Sequence, residues 1–145
     1  MGLELATLEK VRSRMDDAAT SVYVDAGSLD AELQAVMERS LGISMLLLST
    51  GDGRAIAHRT QAKMDPRRVS AMSNSFLTLG ETLSRELGLA TADYVTMSTA
   101  QGSMVLVRVA AERSYTLAAL GHADTSLAIL LYAARDAAAR IGKLL

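Results

Sequence analysis

Two apolar segments separated by a glycine-rich turn dominate the sequence between residues 43 and 59. The turn reads Thr50-Gly51-Asp52-Gly53. An Asp-Gly pair between two apolar runs is among the strongest local signals for a β-hairpin. We expect Gly51 and Gly53 to supply the positive φ angles that a tight reversal needs. The chain is therefore expected to contain an antiparallel hairpin early in its fold.

Composition narrows the class of protein. The 145 residues are 50% hydrophobic and 21% charged, with a net charge of −1, which favours one folded domain. Aromatic residues make up only 3% and no basic stripe accompanies them, which argues against nucleic-acid binding. The absence of cysteine excludes disulfides and cysteine-based zinc sites. With neither a signal-peptide pattern nor an apolar run of membrane-spanning length, a cytoplasmic protein is expected.

Hydrophobic periodicity predicts two helices before the hairpin. Residues 3–19 have apolar side chains three and four positions apart, which is typical of an amphipathic helix. Residues 21–27 are expected to interrupt it, and Ser28 to cap a second helix that Gly42 ends. This pattern divides the chain into an N-terminal helix and connector, residues 1–27, and a folded domain, residues 28–145.

A third and longer helix is predicted from Asp65-Pro66, since an acidic N-cap followed by proline is a typical helix start. Gly88 is expected to end this helix. Its apolar residues are expected to face the core; they are Val69, Met72, Phe76, Leu79, Leu83 and Leu87.

After this helix the period changes to two. Strands are predicted at residues 94–98, 104–109 and 115–120, followed by a final helix capped by Asp124. Successive hairpins make the sheet antiparallel, and strands that are apolar on both faces require helices on both sides. The prediction is an α+β fold in which a five-stranded antiparallel sheet lies between helices.

Two features point to association with another chain. Tyr94, Thr96 and Ser98 give one strand a polar alternation that suits a sheet edge, where a second chain can pair. The long helix also has a line of small residues that would let another helix approach: Ala71, Ser75, Thr78 and Thr82. The alternative is a solvated helix face that happens to carry small side chains.

Signals for chemistry are weak. His58 and His122 are the only histidines, and neither belongs to a metal-binding motif. The sequence has no phosphate-binding loop and no nucleophile elbow. We therefore expect a non-catalytic protein with no cofactor and no metal. Arg67 and Arg68 oppose the dipole at the start of the long helix, so they either serve a partner or add solubilising charge.

The order of these elements resembles the Roadblock/LC7 family over about residues 29–145, roughly four-fifths of the chain. The resemblance rests on the apolar strand at 43–49, the turn and strand Gly51-Asp52-Gly53-Arg54-Ala55-Ile56-Ala57, and the helix end Leu83-Ser84-Arg85-Glu86-Leu87-Gly88. It implies an α-β-β-α-β-β-β-α domain that dimerises through edge strands and long helices. On this chain, those contacts would involve residues 94–98 and the line of small residues.

The resemblance also implies a function. Family members act with Ras-like small GTPases as activators or scaffolds, and others are dynein light chains. The 12 arginines against 3 lysines suggest a bacterial source and the GTPase-regulator branch. Independently of the resemblance, which does not point to a supplied arginine finger, Arg67 and Arg68 would be candidates for one. The alternatives are a scaffold that leaves GTP hydrolysis unchanged and a sensor domain that binds a small ligand in an interior pocket.

Overall fold

The computed structural model describes residues 26–145, so the predicted helix at residues 3–19 lies outside the described residues. Helix α1 covers residues 26–39. The elements that follow are β1 (Ile43–Thr50), β2 (Ala55–Thr60), α2 (Pro66–Glu86), β3 (Tyr94–Thr99), β4 (Gly102–Val109), β5 (Tyr115–His122) and α3 (Leu127–Gly142). This order confirms the expected α-β-β-α-β-β-β-α arrangement.

The five strands form one antiparallel sheet in the order β2-β1-β5-β4-β3. Strands β1, β5 and β4 occupy the centre, which explains why their sequences are almost continuously apolar. Strand β3 lies at one edge, as its polar alternation predicted, and β2 lies at the other.

Helices cover both faces of the sheet. On one face, α1 and α3 pack against alternate residues of the central strands, with Leu33, Leu46 and Leu130 fully buried. On the opposite face α2 contributes Leu77, which is buried against Leu47 and Leu106. The three-layer prediction is confirmed, and the period-two pattern of the central strands β1, β4 and β5 divides their side chains between two separate hydrophobic clusters.

The two turn glycines have different roles. Gly53 has a φ of 86° and provides the positive angle that was predicted. Gly51 does not adopt a positive φ, so that part of the expectation is wrong. Instead, a Cβ at residue 51 would lie 3.0 Å from the Ser114 carbonyl oxygen, to which the Gly51 N–H donates at 2.8 Å. Gly51 therefore permits a close approach between the two hairpins.

Two predicted helix caps are wrong. Residue 28 lies inside α1, because residues 26 and 27 are already helical. Asp124 lies in the turn before α3, and the N-cap is Ser126, whose hydroxyl accepts from the Ile129 N–H at 3.2 Å. The second error arises because Asp124, Thr125 and Ser126 can all cap a helix and lie together, and only the path of the chain decides which one takes the position.

Candidate interaction surface

Helix α2 begins where the sequence indicated. The Asp65 carboxylate accepts a hydrogen bond from the Arg67 N–H at 3.0 Å, and Pro66 occupies the first helical position. Gly88 has a φ of 71° and follows the last turn, as predicted. The helix therefore presents 21 residues across one face of the sheet.

The face of α2 that contacts the sheet is not the predicted one. Its buried residues are Ser70, Ser73, Leu77 and Ser84. Between them, Gly80 lies over β3, where a Cβ would come within 2.5 Å of Val95 Cγ2. Small side chains let the helix lie close to the sheet, with Leu77 as its main apolar contact. The inner face is thus displaced by one residue, about 100° of rotation, from the predicted apolar stripe.

That displacement leaves most of the predicted stripe on the outside. We call Met72, Phe76, Leu79 and Leu83 the outer stripe. Their exposed fractions are 67%, 39%, 65% and 55%. Leu87 is also 64% exposed, and Val69 alone packs partly into the core. Large apolar side chains exposed together along one helix face are typical of a protein–protein contact.

A polar network fixes the orientation of α2. The Arg108 guanidinium on β4 donates to both Glu81 oxygens, with the shortest contact at 2.7 Å. It also donates to Asn74 Oδ1 at 2.8 Å and to Thr116 Oγ1 at 2.6 Å. The side chains of Arg108 and Glu81 are only 25% and 16% exposed. Because these bonds join α2 to both β4 and β5, they hold the helix in the rotation that turns the outer stripe outward.

The predicted line of small residues is exposed along α2, beside the outer stripe. Ala71 and Ser75 lie on the solvent side. The Thr78 hydroxyl accepts from Arg108 at 3.0 Å, and the Thr82 hydroxyl donates to the Thr78 carbonyl at 2.9 Å. Thr78 is therefore part of the network that holds α2.

At the β3 edge, backbone groups face away from the sheet. Thr99 and Gly102 close a two-residue turn, and hydrogen-bonded pairs alternate from there along β3 and β4. The N–H and C=O groups of Tyr94, Thr96 and Ser98 consequently point away from β4, to a side where no strand of residues 26–145 pairs with them. Met97 is 45% exposed and lies on the α2 face, since it pairs with Met104 of the α2 cluster. The side chains of Tyr94, Thr96 and Ser98 lie on the opposite face.

The remaining candidate residues lie apart from this edge. Arg67 and Arg68 are exposed in the first turn of α2. Near the other end of α2, the Ser84 hydroxyl accepts a hydrogen bond from the Ala92 N–H at 3.1 Å, just before β3. His58 is exposed on β2 and His122 at the end of β5. In the described part of the chain, no group of three or more His, Cys, Asp or Glu residues could hold a metal ion. Nor is any helix among residues 26–145 long and apolar enough to cross a bilayer.

More than half of the chain matches the model of a known protein family. The family model described as "Roadblock/LC7 domain" matches residues 29–119. The chain belongs to the Roadblock/LC7 family. The match runs from residue 29, inside α1, to residue 119, inside β5, and it includes the outer stripe and the β3 edge. No curated protein matches the sequence.

Solved structures share the Roadblock/LC7 fold at low sequence identity. Myxococcus xanthus MglB is 13% identical with a TM-score of 0.71, over 82% of this chain and 88% of that one. A second MglB, described as having a tetrameric arrangement, is 14% identical with a TM-score of 0.73, over 83% and 89%. A Roadblock/LC7 domain from Streptomyces avermitilis is 14% identical with a TM-score of 0.69, over 77% and 92%. These likenesses concern the fold.

The network around Arg108 was not anticipated from the sequence. A signal for it exists, because Arg108 is the one charge in the apolar run of β4. Strand alternation places it on the same face as Leu106, toward α2. A charged residue at such a position needs a polar partner, and Glu81 and Asn74 supply it from the adjoining helix face.

Proposed function

We propose that this Roadblock/LC7 protein is a non-catalytic, homodimeric regulator of a Ras-like small GTPase in the cytoplasm. The observation that carries the proposal is the outer stripe of α2, exposed on the same face of the sheet as Met97 at the open β3 edge. Family membership supports the choice of partner, because Roadblock/LC7 proteins act with small GTPases.

The dimer would use both features at once. Antiparallel pairing of β3 with its copy would bond the outward N–H and C=O groups of Tyr94, Thr96 and Ser98, and would join two five-stranded sheets into one. Such an interface is isologous, so each copy contributes the same patch. The two α2 helices would lie side by side on one face, where the outer stripe and the line of small residues can be covered.

Regulation would then follow from differential affinity. A dimer that binds the hydrolysis-competent arrangement of the GTPase more tightly than its ground arrangement shifts the population toward hydrolysis. Arg67 and Arg68 are candidates for contacts with the nucleotide-binding side of the GTPase, since both are exposed. An arginine placed there could also stabilise transition-state charge.

The experiment has two stages. Small GTPases from the source organism, loaded with GDP or a non-hydrolysable GTP analogue, are tested for binding to the purified full chain. We expect one GTPase to bind preferentially in the GTP form. Single-turnover GTP hydrolysis is then measured with and without the full chain. A faster rate supports an activator, and an unchanged rate with retained binding supports a scaffold. Binding to no GTPase in either state would contradict the proposal.

A further inference from the structure

Strand β2 forms the edge of the sheet opposite β3, and no other strand of the described residues 26–145 pairs with its outer side. The Gln61 N–H donates to the Ser44 carbonyl at 2.9 Å, which makes residues 61 and 44 a hydrogen-bonded pair. Because such pairs alternate, Arg59 and Ala57 bond to β1. The backbone groups of His58 and Thr60 therefore point outward, in the part of the chain that the structure describes. They offer a template for one more strand.

The surroundings of this edge are basic. Residues 51–68 contain five Arg or Lys and two Asp, a net charge of +3 in a chain whose net charge is −1. A groove of about 870 Å³ runs between β2 and the start of α2, and its lining includes Arg54, His58 and Arg67. The Arg54 side chain is 81% exposed. Positively charged side chains therefore lie beside the outward backbone groups of His58 and Thr60, on the face of β2 that adjoins α2.

The two aspartates of this segment are already engaged. Asp65 caps α2, as described above. The Asp52 carboxylate accepts from the Thr50 hydroxyl and lies 3.6 Å from Arg54 Nε. The hydrogen bond from Thr50, with a smaller contribution from Arg54, lowers the pKa of Asp52 below its usual value, so this group is charged near neutral pH. Asp30 of α1 also pairs with Arg59 at 2.6 Å, on the face of the sheet away from the groove. With Asp30 counted, an excess of two positive charges remains, carried by Arg54, Lys63, Arg67 and Arg68 against Asp52 and Asp65.

We propose that β2 binds an extended, acidic segment of a partner protein by strand addition. Backbone bonds to His58 and Thr60 would give affinity, and acidic side chains on the α2 face would meet Arg54 and Arg67 in the groove. A second copy of this chain does not fit, because pairing β2 with itself would bring the same basic residues together. The proposal does not depend on the β3 dimer, since β2 lies at the far edge of the sheet. It shares Arg67 with the proposed GTPase contact, but its test requires no GTPase.

The test uses the full chain and a fluorescein-labelled peptide of alternating Glu and Val, with a Lys-and-Val peptide as the charge control. We expect saturable binding of the acidic peptide by fluorescence anisotropy and at least tenfold weaker binding of the basic one. Double charge reversal with R54E and R67E should weaken binding of the acidic peptide at least tenfold. A dependence on charge alone, however, does not demonstrate strand addition.

Strand addition is tested with His58→Pro, which removes one outward N–H and leaves the ladder to β1 intact. His58→Ala keeps the N–H and is the matched control. We expect at least fivefold weaker binding for His58→Pro only, and slower amide exchange at His58 and Thr60 when the acidic peptide binds the natural chain. The exchange measurement keeps the test decisive if the proline variant does not fold. Absence of binding, or binding without slower exchange at these amides, would overturn the proposal.

Discussion

At the scale of single residues, Arg108 has the largest structural consequence for the proposed surface. Its guanidinium bonds to Glu81 and Asn74 of α2 and to Thr116 of β5, so one side chain on β4 joins three elements. A mostly buried cation of this kind is stable only while its partners are present. The rotation of α2, and with it the exposure of the outer stripe, depends on this network.

Replacing Glu81 alone should therefore lower the free energy of unfolding more than replacing both Glu81 and Arg108, because it leaves the Arg108 charge without its partner. We expect Glu81→Leu to lower the free energy of unfolding by about 2–3 kcal/mol, somewhat less than for a fully buried pair because both side chains keep some exposure. The double variant R108M/E81L should recover at least about 1 kcal/mol of that loss. Urea denaturation of the natural chain, E81L, R108M and R108M/E81L gives the coupling energy. Purely additive losses would show that the contact is unimportant.

Gly53 provides a second residue-scale prediction. Its φ of 86° is strained for an L-residue, and a Cβ would lie 3.2 Å from Ala71 Cα. Gly53→Ala should destabilise the protein by about 1–2 kcal/mol. Gly27→Ala is the control: residue 27 is helical, and no atom of the described residues lies within 4 Å of where its Cβ would be, so alanine should stabilise α1 by up to about 1 kcal/mol. Thermal unfolding distinguishes them, and a shift of the same sign for both would contradict this account.

At the scale of elements, the sequence was sufficient to predict the existence and order of the strands and helices within residues 26–145. It was not sufficient to predict which side of α2 faces the sheet. The stripe containing Met72 and Leu79 has the apolar period of a core face, but apolarity does not tell an intramolecular contact from an intermolecular one. The inner face could not be predicted from the apolar pattern, because its close approach to the sheet requires small residues that are not apolar: Ser70, Ser73 and Gly80.

The outer stripe gives the element-scale prediction. Placing a charge at Leu79 would bury it in the proposed dimer, so Leu79→Glu should shift the protein to monomers of 15.4 kDa. Ile129→Glu on α3 is the matched control, because Ile129 is 63% exposed and Leu79 is 65% exposed. Light scattering should give twice 15.4 kDa for the natural chain and for the control. Equal masses for both variants would place the interface elsewhere.

At the scale of the whole molecule, the sheet formed within residues 26–145 has two edges that no described strand covers, and their chemistry differs. At the β3 edge, the exposed Met97 side chain lies on the same face of the sheet as the apolar outer stripe. The β2 edge lies beside a basic groove. The sequence identified the β3 edge through the alternation of Tyr94, Thr96 and Ser98. It did not reveal the β2 edge, because strand order depends on long-range pairing that local patterns do not encode.

Amide hydrogen exchange in the natural chain tests the central claim, that a second copy completes the β3 edge. If it does, the amides of Thr96 and Ser98 exchange slowly at high protein concentration and faster on dilution, while the outward amides of His58 and Thr60 exchange quickly throughout. The β2 amides therefore serve as an internal reference for an uncovered edge. Exchange at Thr96 as fast as at His58, at every concentration, would contradict the account.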